Sequence, residues 1–294
     1  MSVLKIEGLE KKFGKFTALS QVDLEVQAGQ VYGFIGPNGA GKTTTIRTVL
    51  GIYQATAGKV TIFGQDAWAD AVEIHKRIAY VPGDVSLWPN LTGGEVIDLF
   101  MNLRGGGSKE RRQELIERFK LDPTKKCRTY SKGNRQKVAL IAAFATDADL
   151  YIFDEPTSGL DPLMESVFHA YVLEVKRQGK SVLLSSHILS EVEKLCDRVA
   201  IIRDGKIIED GTLDELRHLT RIQIKAKARD PLNIGGLKGV HDLKKQDGYT
   251  AFSVDAGQLG QVISAIAPAG ILDLQSSPPT LEELFMTHYQ GGDE

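Results

Sequence analysis

Cysteine is nearly absent from this 294-residue chain, with Cys127 and Cys196 the two examples. They lie far apart and have no His or Cys neighbours. Neither a disulfide framework nor a zinc site is expected, and the reducing cytosol is the expected compartment. Long apolar runs are missing too. No stretch approaches the ~18–20 residues that cross a bilayer, and the opening Met1–Glu7 has no extended apolar segment of the kind that marks a secretory signal. Work at a membrane would therefore need spanning helices from another chain. No charge sign dominates: 36 Lys and Arg stand against 38 Asp and Glu, a formal charge of -2. A general nucleic-acid binder needs a basic excess to neutralise phosphates, so no nucleic acid is expected as partner. Internal repeats and low-complexity tracts are also lacking.

What remains is an ordinary water-soluble composition, 42% hydrophobic and 25% charged. At roughly 150 residues per domain the length implies two domains. Residues 1–35 read as strands, ending in the short apolar run Val31-Tyr32-Gly33-Phe34-Ile35. From about 90 to 147 the period changes. Gly94–Leu103, Lys109–Phe119 and Gln136–Ala145 have helical spacing, with Gly105-Gly106-Gly107-Ser108 as a joint. Strands return at 150–153 and 181–185, and Asp204-Gly205 marks a hairpin between Val199–Ile202 and Lys206–Ile208. After about 220 the pattern is that of a small α+β unit. It has an alternating strand from Ile222, a hairpin signal at Asp247-Gly248, a helix over Gln258–Ala267, and a capping box Thr280-Leu281-Glu282-Glu283 after Pro278-Pro279.

The glycines, 30 in all, cluster where chemistry is expected. Gly36-Pro37-Asn38-Gly39-Ala40-Gly41-Lys42-Thr43 fits G-x-x-x-x-G-K-[ST] at every fixed position, with a strand before it and a helix after it. Such glycines let backbone N–H groups curl around an anion, and the helix start points its positive end at phosphates. Lys42 is placed to reach the β- and γ-phosphates, and the Thr43 hydroxyl to bind magnesium. Downstream, the apolar strand Leu150-Tyr151-Ile152-Phe153 ends in Asp154-Glu155. Strand ends in α/β sheets open onto the ligand crevice. Asp154 is expected to hold the magnesium through water and Glu155 to polarise the attacking water, as phosphoryl transfer requires.

With these residues the chain resembles the ATP-binding subunit of an ABC transporter over roughly 1–215. The phosphate loop stands as its Walker A motif and the acid pair as its Walker B. Tyr130-Ser131-Lys132-Gly133-Asn134-Arg135-Gln136 falls where the family carries its signature loop, and Ser158-Gly159-Leu160-Asp161 resembles the loop that touches the opposite subunit. His187 resembles the switch histidine that senses the γ-phosphate, and Phe13 the aromatic that stacks on adenine. Each is weak alone: Ser131 also reads as a helix N-cap, Phe13 as core, His187 as a structural hydrogen-bonder. Their order and spacing together carry the resemblance.

The resemblance implies an α/β P-loop NTPase (RecA-like) cassette over 1–219 with an inserted helical subdomain at about 85–147. A small C-terminal accessory domain comes after it, over 220–294. ATP and magnesium are the ligands the resemblance implies. Glu155, His187 and Lys42 would be catalytic, and Thr43 and Asp154 would hold the metal. Phe13, residues Gly36 through Thr44, Ser131, Gly133 and Asp161 would contact nucleotide. It further implies a head-to-tail homodimer around two ATP molecules on the inner face of the cell membrane, beside a separately encoded permease. The Ser-Lys-Gly-Asn-Arg-Gln form of the signature resembles that of drug- and antibiotic-export ATPases paired with ABC-2-type permeases, so export is the expected direction.

Two departures stand out. The usual signature is Ser-Gly-Gly-Gln; here Lys132 either adds a cation near the partner's phosphate or faces solvent, and Asn134 replaces glutamine. The family's glutamine after Ile78-Ala79-Tyr80-Val81-Pro82 is replaced by Gly83, so Asp84 or a water is expected to take over at the metal. Asp84–Leu103, with Leu87, Trp88 and Leu91, reads either as lying beside the groove that receives the permease's coupling helix or as packing on its own domain. The tail suggests dimer stabilisation, regulation or plain packing. A soluble ABC-type ATPase of translation or DNA repair, and a P-loop kinase, are the competing readings. Paired cassettes or long coiled coils would mark the first, and the second leaves Ser131–Gly133, Ser158–Asp161 and His187 unexplained.

Overall fold

A computed structural model describes residues 1–218, 221–246 and 248–277. The chain opens with two long strands, β1 (Ser2–Phe13) and β2 (Phe16–Gln27), whose apolar residues alternate inward: Leu4, Ile6 and Leu9 from the first, Leu19, Val22, Leu24 and Val26 from the second. The fully buried β3 (Val31–Ile35) is next, then the phosphate loop, α1 (Lys42–Val49), β4 (Ala57–Ile62), the two-residue β5 (Gln65–Asp66), α2 (Ala71–His75) and β6 (Ile78–Val81). Three helices succeed it without an intervening strand: α3 (Gly93–Leu103), α4 (Lys109–Arg118) and α5 (Lys132–Phe144). The remainder of the first unit alternates: β7 (Leu150–Asp154), α6 (Pro162–Arg177), β8 (Ser181–Ser186), α7 (Leu189–Leu195), β9 (Arg198–Arg203) and β10 (Lys206–Thr212).

These strands form two sheets. One is antiparallel in the order β2-β1-β4-β5; the other runs β10-β9-β3-β8-β7-β6, and its members β9, β3, β8, β7 and β6 are parallel. Parallel neighbours need crossovers, and helices supply them. This is the P-loop NTPase α/β architecture. Helix α1 is buried between the two sheets: Ile46, Val49 and Leu50 join one core with Leu4, Leu24, Tyr32 and Ile152. The other face of the parallel sheet packs aromatics. Phe144 of α5 lies within about 6 Å, ring to ring, of Tyr151, Phe153, Phe168 and Tyr171.

Strand alternation places the site. In β7, Leu150 and Ile152 face α1 while Tyr151 and Phe153 face the aromatic cluster. Asp154, the next residue in the first series, therefore emerges on the α1 side.

The chain divides into two compact units, Met1–Asp210 and Gly211–Glu294. The division falls inside β10, where Gly211 and Thr212 lead into α8 (Leu213–His218). Thr212 and Glu215 cap that helix reciprocally, so these residues belong locally with the second unit. The boundary expected after 219 lies further along, past this helix. The second unit holds β11 (Ile222–Ala228), β12 (Val240–Gln246), β13 (Tyr249–Val254), α9 (Leu259–Ile266) and β14 (Ile271–Ser277) in an antiparallel sheet of order β12-β13-β11-β14. Ile224, Ala226, Phe252 and Val254 bury one face against Val262 and Ile266 of α9. The other face carries Lys225 above the Tyr249 ring, 4.8 Å from its centre. The hairpin signal falls between β12 and β13, which pair as far as Gln246 and Tyr249, although Asp247 itself lies outside the described residues. So do Pro278, Pro279 and the Thr280–Glu283 capping box. Among the described residues no helix is long and apolar enough to cross a membrane.

Truncating the hub of the aromatic cluster tests this packing. Phe144→Ala is expected to cost about 3–5 kcal/mol of stability by emptying a fully enclosed site, measured by denaturant unfolding of the purified chain.

Candidate active site

The turn between β3 and α1 is shaped by glycine at a position no other residue tolerates well. Gly41 has φ 113°, and a Cβ there would come 2.8 Å from Leu19 Cδ2. As the N-cap it offers no side-chain acceptor, so the first N–H groups of α1 point at the loop without a capping partner from it. Lys42, although charged, is buried at 4% exposure. Its ammonium donates to the carbonyls of Gly36 (2.7 Å) and Pro37 (3.2 Å) and stands 3.3 Å from Glu155 Oε1. Beside the loop lies a hollow of about 160 Å³, walled by Phe16 and Ala18 on one side and by Asn38, Gly39, Thr44 and Glu155 on the others.

Asp154 is the second fixed point. Its carboxylate is 3% exposed, and it accepts the Thr43 hydroxyl at 2.9 Å on Oδ2 and the Ser185 hydroxyl at 2.6 Å on Oδ1. A hydroxyl and a carboxylate side by side are the hard oxygen donors that magnesium takes. Burial, and after it the charge of Asp154, pushes the Tyr80 phenol up to about 12.

Glu155 sits in a left-handed backbone conformation, φ 50°, which a side chain other than glycine adopts at a cost. Its N–H holds it there, shared between Ser185 O (3.0 Å) and Ser185 Oγ (3.2 Å). Its two carboxylate oxygens face two cations or potential cations: Lys42 at 3.3 Å and His187 Nδ1 at 3.4 Å. The structure thus brings Lys42, Thr43, Asp154, Glu155 and His187 together from two strand ends and one helix start.

The other expected residues lie elsewhere. Ser131 caps α5, its Oγ accepting the Asn134 N–H at 3.3 Å, and Asp161 caps α6, accepting from Met164. Gly133 packs against the Gly159 carbonyl so closely that a Cβ would overlap it. Lys132 is exposed, in keeping with the solvent-facing reading, and its ammonium donates to Ser158 Oγ at 2.7 Å within the same chain. Ser131, Gly133 and Asp161 therefore belong to a second cluster, where two loops meet, and do not line the hollow. Phe13 is half exposed and packs edge-on against Tyr53, with centroids 5.3 Å apart, and the ring lining the hollow is Phe16. Gly83 fits its position by necessity, since a Cβ would sit 2.9 Å from the Asp154 carbonyl. The neighbouring Asp84 is exposed.

Phe16 and Ser185 are the residues that sequence reading passes over. Phe16 is the first residue of a strand otherwise read by its buried positions. Ser185 signals itself faintly, as a hydroxyl ending an apolar strand with no exposure at all.

Residues 19–158 match the family described as ABC transporter. The chain is 32% identical to the daunorubicin resistance ATP-binding protein DrrA3 of Streptomyces coeruleorubidus, over 99% of this chain and 97% of that protein. It is also 32% identical to the bacitracin transport ATP-binding protein BcrA of Bacillus licheniformis, over 99% and 98%. Among solved structures, the ATP-binding subunit of an ABC transporter matches 74% of this chain and 92% of its own, with TM-score 0.69 and 32% identity. The cassette MJ0796, solved as a dimer in a post-hydrolysis state with ADP and Pi, shares the fold at TM-score 0.66 and 24% identity, over 71% and 98%.

Proposed function

From the premise that the chain belongs to the ATP-binding proteins of ABC transporters, we propose that it hydrolyses ATP in the Gly36–Thr44 loop and drives export through a separately encoded membrane subunit. The observation that carries this reading is the convergence of Lys42 and His187 on Glu155, next to an Asp154 already bonded to Thr43. The full-length relatives are resistance and transport proteins by name, which favours transport over translation or repair.

Each group has a distinct chemical task. The uncapped N–H groups of α1 and the Lys42 ammonium bind the phosphates, Lys42 exchanging loop carbonyls for phosphate oxygens. Thr43 and Asp154 would hold magnesium, which neutralises triphosphate charge when bound. Glu155 accepts the proton of the attacking water. Its strained backbone aims the carboxylate away from the end of β7, and Ser185 fixes that aim. His187 hydrogen-bonds the γ-phosphate. Phe16 and Ala18 wall the hollow where the rest of the nucleotide lies, with Phe13 near the same hairpin.

Two copies pair head to tail. Ser131, whose oxygen already accepts an N–H, keeps its own proton to donate to the γ-phosphate bound by the partner, and Gly133 lets that phosphate approach backbone. ATP then bonds to both molecules at once, and hydrolysis removes the bridge. The membrane subunit docks where α2 and α3 leave apolar residues uncovered. Ile52, Val72 and Leu103, all about half exposed or more, line a hollow of about 460 Å³ together with Phe100 and Arg104, and the half-exposed Trp88 packs against that Phe100.

Glu155→Gln is expected to bind ATP, lose most turnover and accumulate as a closed dimer, whereas Lys42→Ala weakens binding itself. Turnover and sedimentation with saturating ATP check both, and full turnover in Glu155→Gln would remove it from the role of base. At the position next to Gly83, Asp84→Ala is expected to raise the magnesium concentration needed for half-maximal hydrolysis; an unchanged magnesium titration assigns that ligand place to water. Leu103→Glu is expected to leave the ATPase of the isolated chain intact and to abolish assembly with the membrane subunit, read by co-purification of the co-expressed pair. Normal assembly would move the docking surface elsewhere.

A further inference from the structure

A second buried carboxylate lies beneath the active site, and the hydrolysis reaction has no task for it. Glu191, in α7, is 3% exposed. Its Oε2 accepts the Ser186 hydroxyl at 2.6 Å. The same Ser186 oxygen accepts the Ile188 backbone N–H at 3.0 Å. His187 stands between these two anchored residues with its ring half exposed, 3.4 Å from Glu155 Oε2. On its other side, Glu191 Oε1 faces His169 Nε2 of α6 at 3.5 Å. Both of those atoms are buried, and neither has a hydrogen-bond partner among the described residues.

Such an arrangement costs stability. A carboxylate taken out of water and only partly bonded is expensive, and the neighbouring Val192 and Leu195 show that this face of α7 suits apolar side chains. What the carboxylate supplies is direction. It accepts in one place, and through Ser186 it closes the turn from 186 to 188 into a single geometry. Because α6 starts at the Ser158–Asp161 loop, His169 makes the same carboxylate a junction between that helix and the turn bearing His187.

We propose that Glu191 is a positioning residue for His187, acting through Ser186 to hold the imidazole toward Glu155 and the γ-phosphate. This deepens the function proposed above and rests on the role given there to His187. Ser186 belongs to the same device, and His169 provides its second side.

Steady-state ATPase kinetics of the purified full-length chain test it. Glu191→Leu is expected to lower kcat on the order of tenfold while KM and the affinity for a fluorescent ATP analogue stay within about twofold. Glu191→Gln keeps an acceptor for Ser186 and retains most of the rate. Added to His187→Ala, Glu191→Leu causes no further loss, since it acts through a group already removed. Equal losses for the Leu and Gln variants, or a multiplied loss in the double variant, overturn the proposal. If Glu191→Leu does not fold, Ser186→Ala takes its place, with the same kcat loss and the same non-additivity expected. Full turnover in His187→Ala would instead overturn the role of His187 itself. Loss in His187→Ala with full turnover in Glu191→Leu would refute only the positioning.

Discussion

Thr43 and Ser185 reach Asp154 from opposite sides, and nearly everything at the site depends on that pair of hydroxyl contacts. A carboxylate this deeply buried is tolerated only if its oxygens are bonded. The two donors come from the first turn of α1 and the end of β8, so satisfying one charge joins three elements. The phosphate loop is carried on α1, Glu155 comes directly after Asp154, and His187 stands two residues past Ser185. Their relative positions are consequences of where Asp154 is pinned.

Glu155 shows what that rigidity sustains. Its left-handed backbone is unfavourable by itself and is offset by the shared hydrogen bond to Ser185. Lys42 and His187 then bracket its carboxylate. A base bracketed in this way is held in one place, and the backbone cannot relax to swing it away. Glu191 supports the opposite side of the site in a similar manner, with its buried acceptor bonded to the serine next to Ser185. Two adjacent serines at one strand end thus orient two different groups, Ser185 toward the acid pair and Ser186 toward the histidine.

Much of this was legible beforehand. The phosphate loop needs glycines and a lysine at fixed intervals along the chain, and a strand-loop-helix unit is local, so Gly36–Thr44 announced itself. The apolar run before them foretold that Asp154 and Glu155 would emerge at a strand end, where α/β sheets open onto the ligand crevice. Ser131 was legible as a helix cap and as a phosphate donor, and its geometry is compatible with both. The bond made by Lys132 was not legible. Its partner Ser158 is 26 residues away, and only the meeting of two loops makes that contact. Phe13 and Phe16 flank one tight hairpin, and which ring walls the hollow depends on the twist of that hairpin beside α1, which no spacing encodes.

Local chain order is enough to establish the periodicities, the phosphate cradle and the identity of the carboxylates, because each depends on residues within a few positions of one another. The set of partners comes from packing: Ser185 on Asp154, Lys42 against Glu155, His169 facing Glu191, and the exclusion of any side chain at Gly83 by the Asp154 carbonyl. Those contacts join residues from separate strands and helices. Their distances are set by how sheets and helices stack, and a linear pattern carries no measure of that stacking.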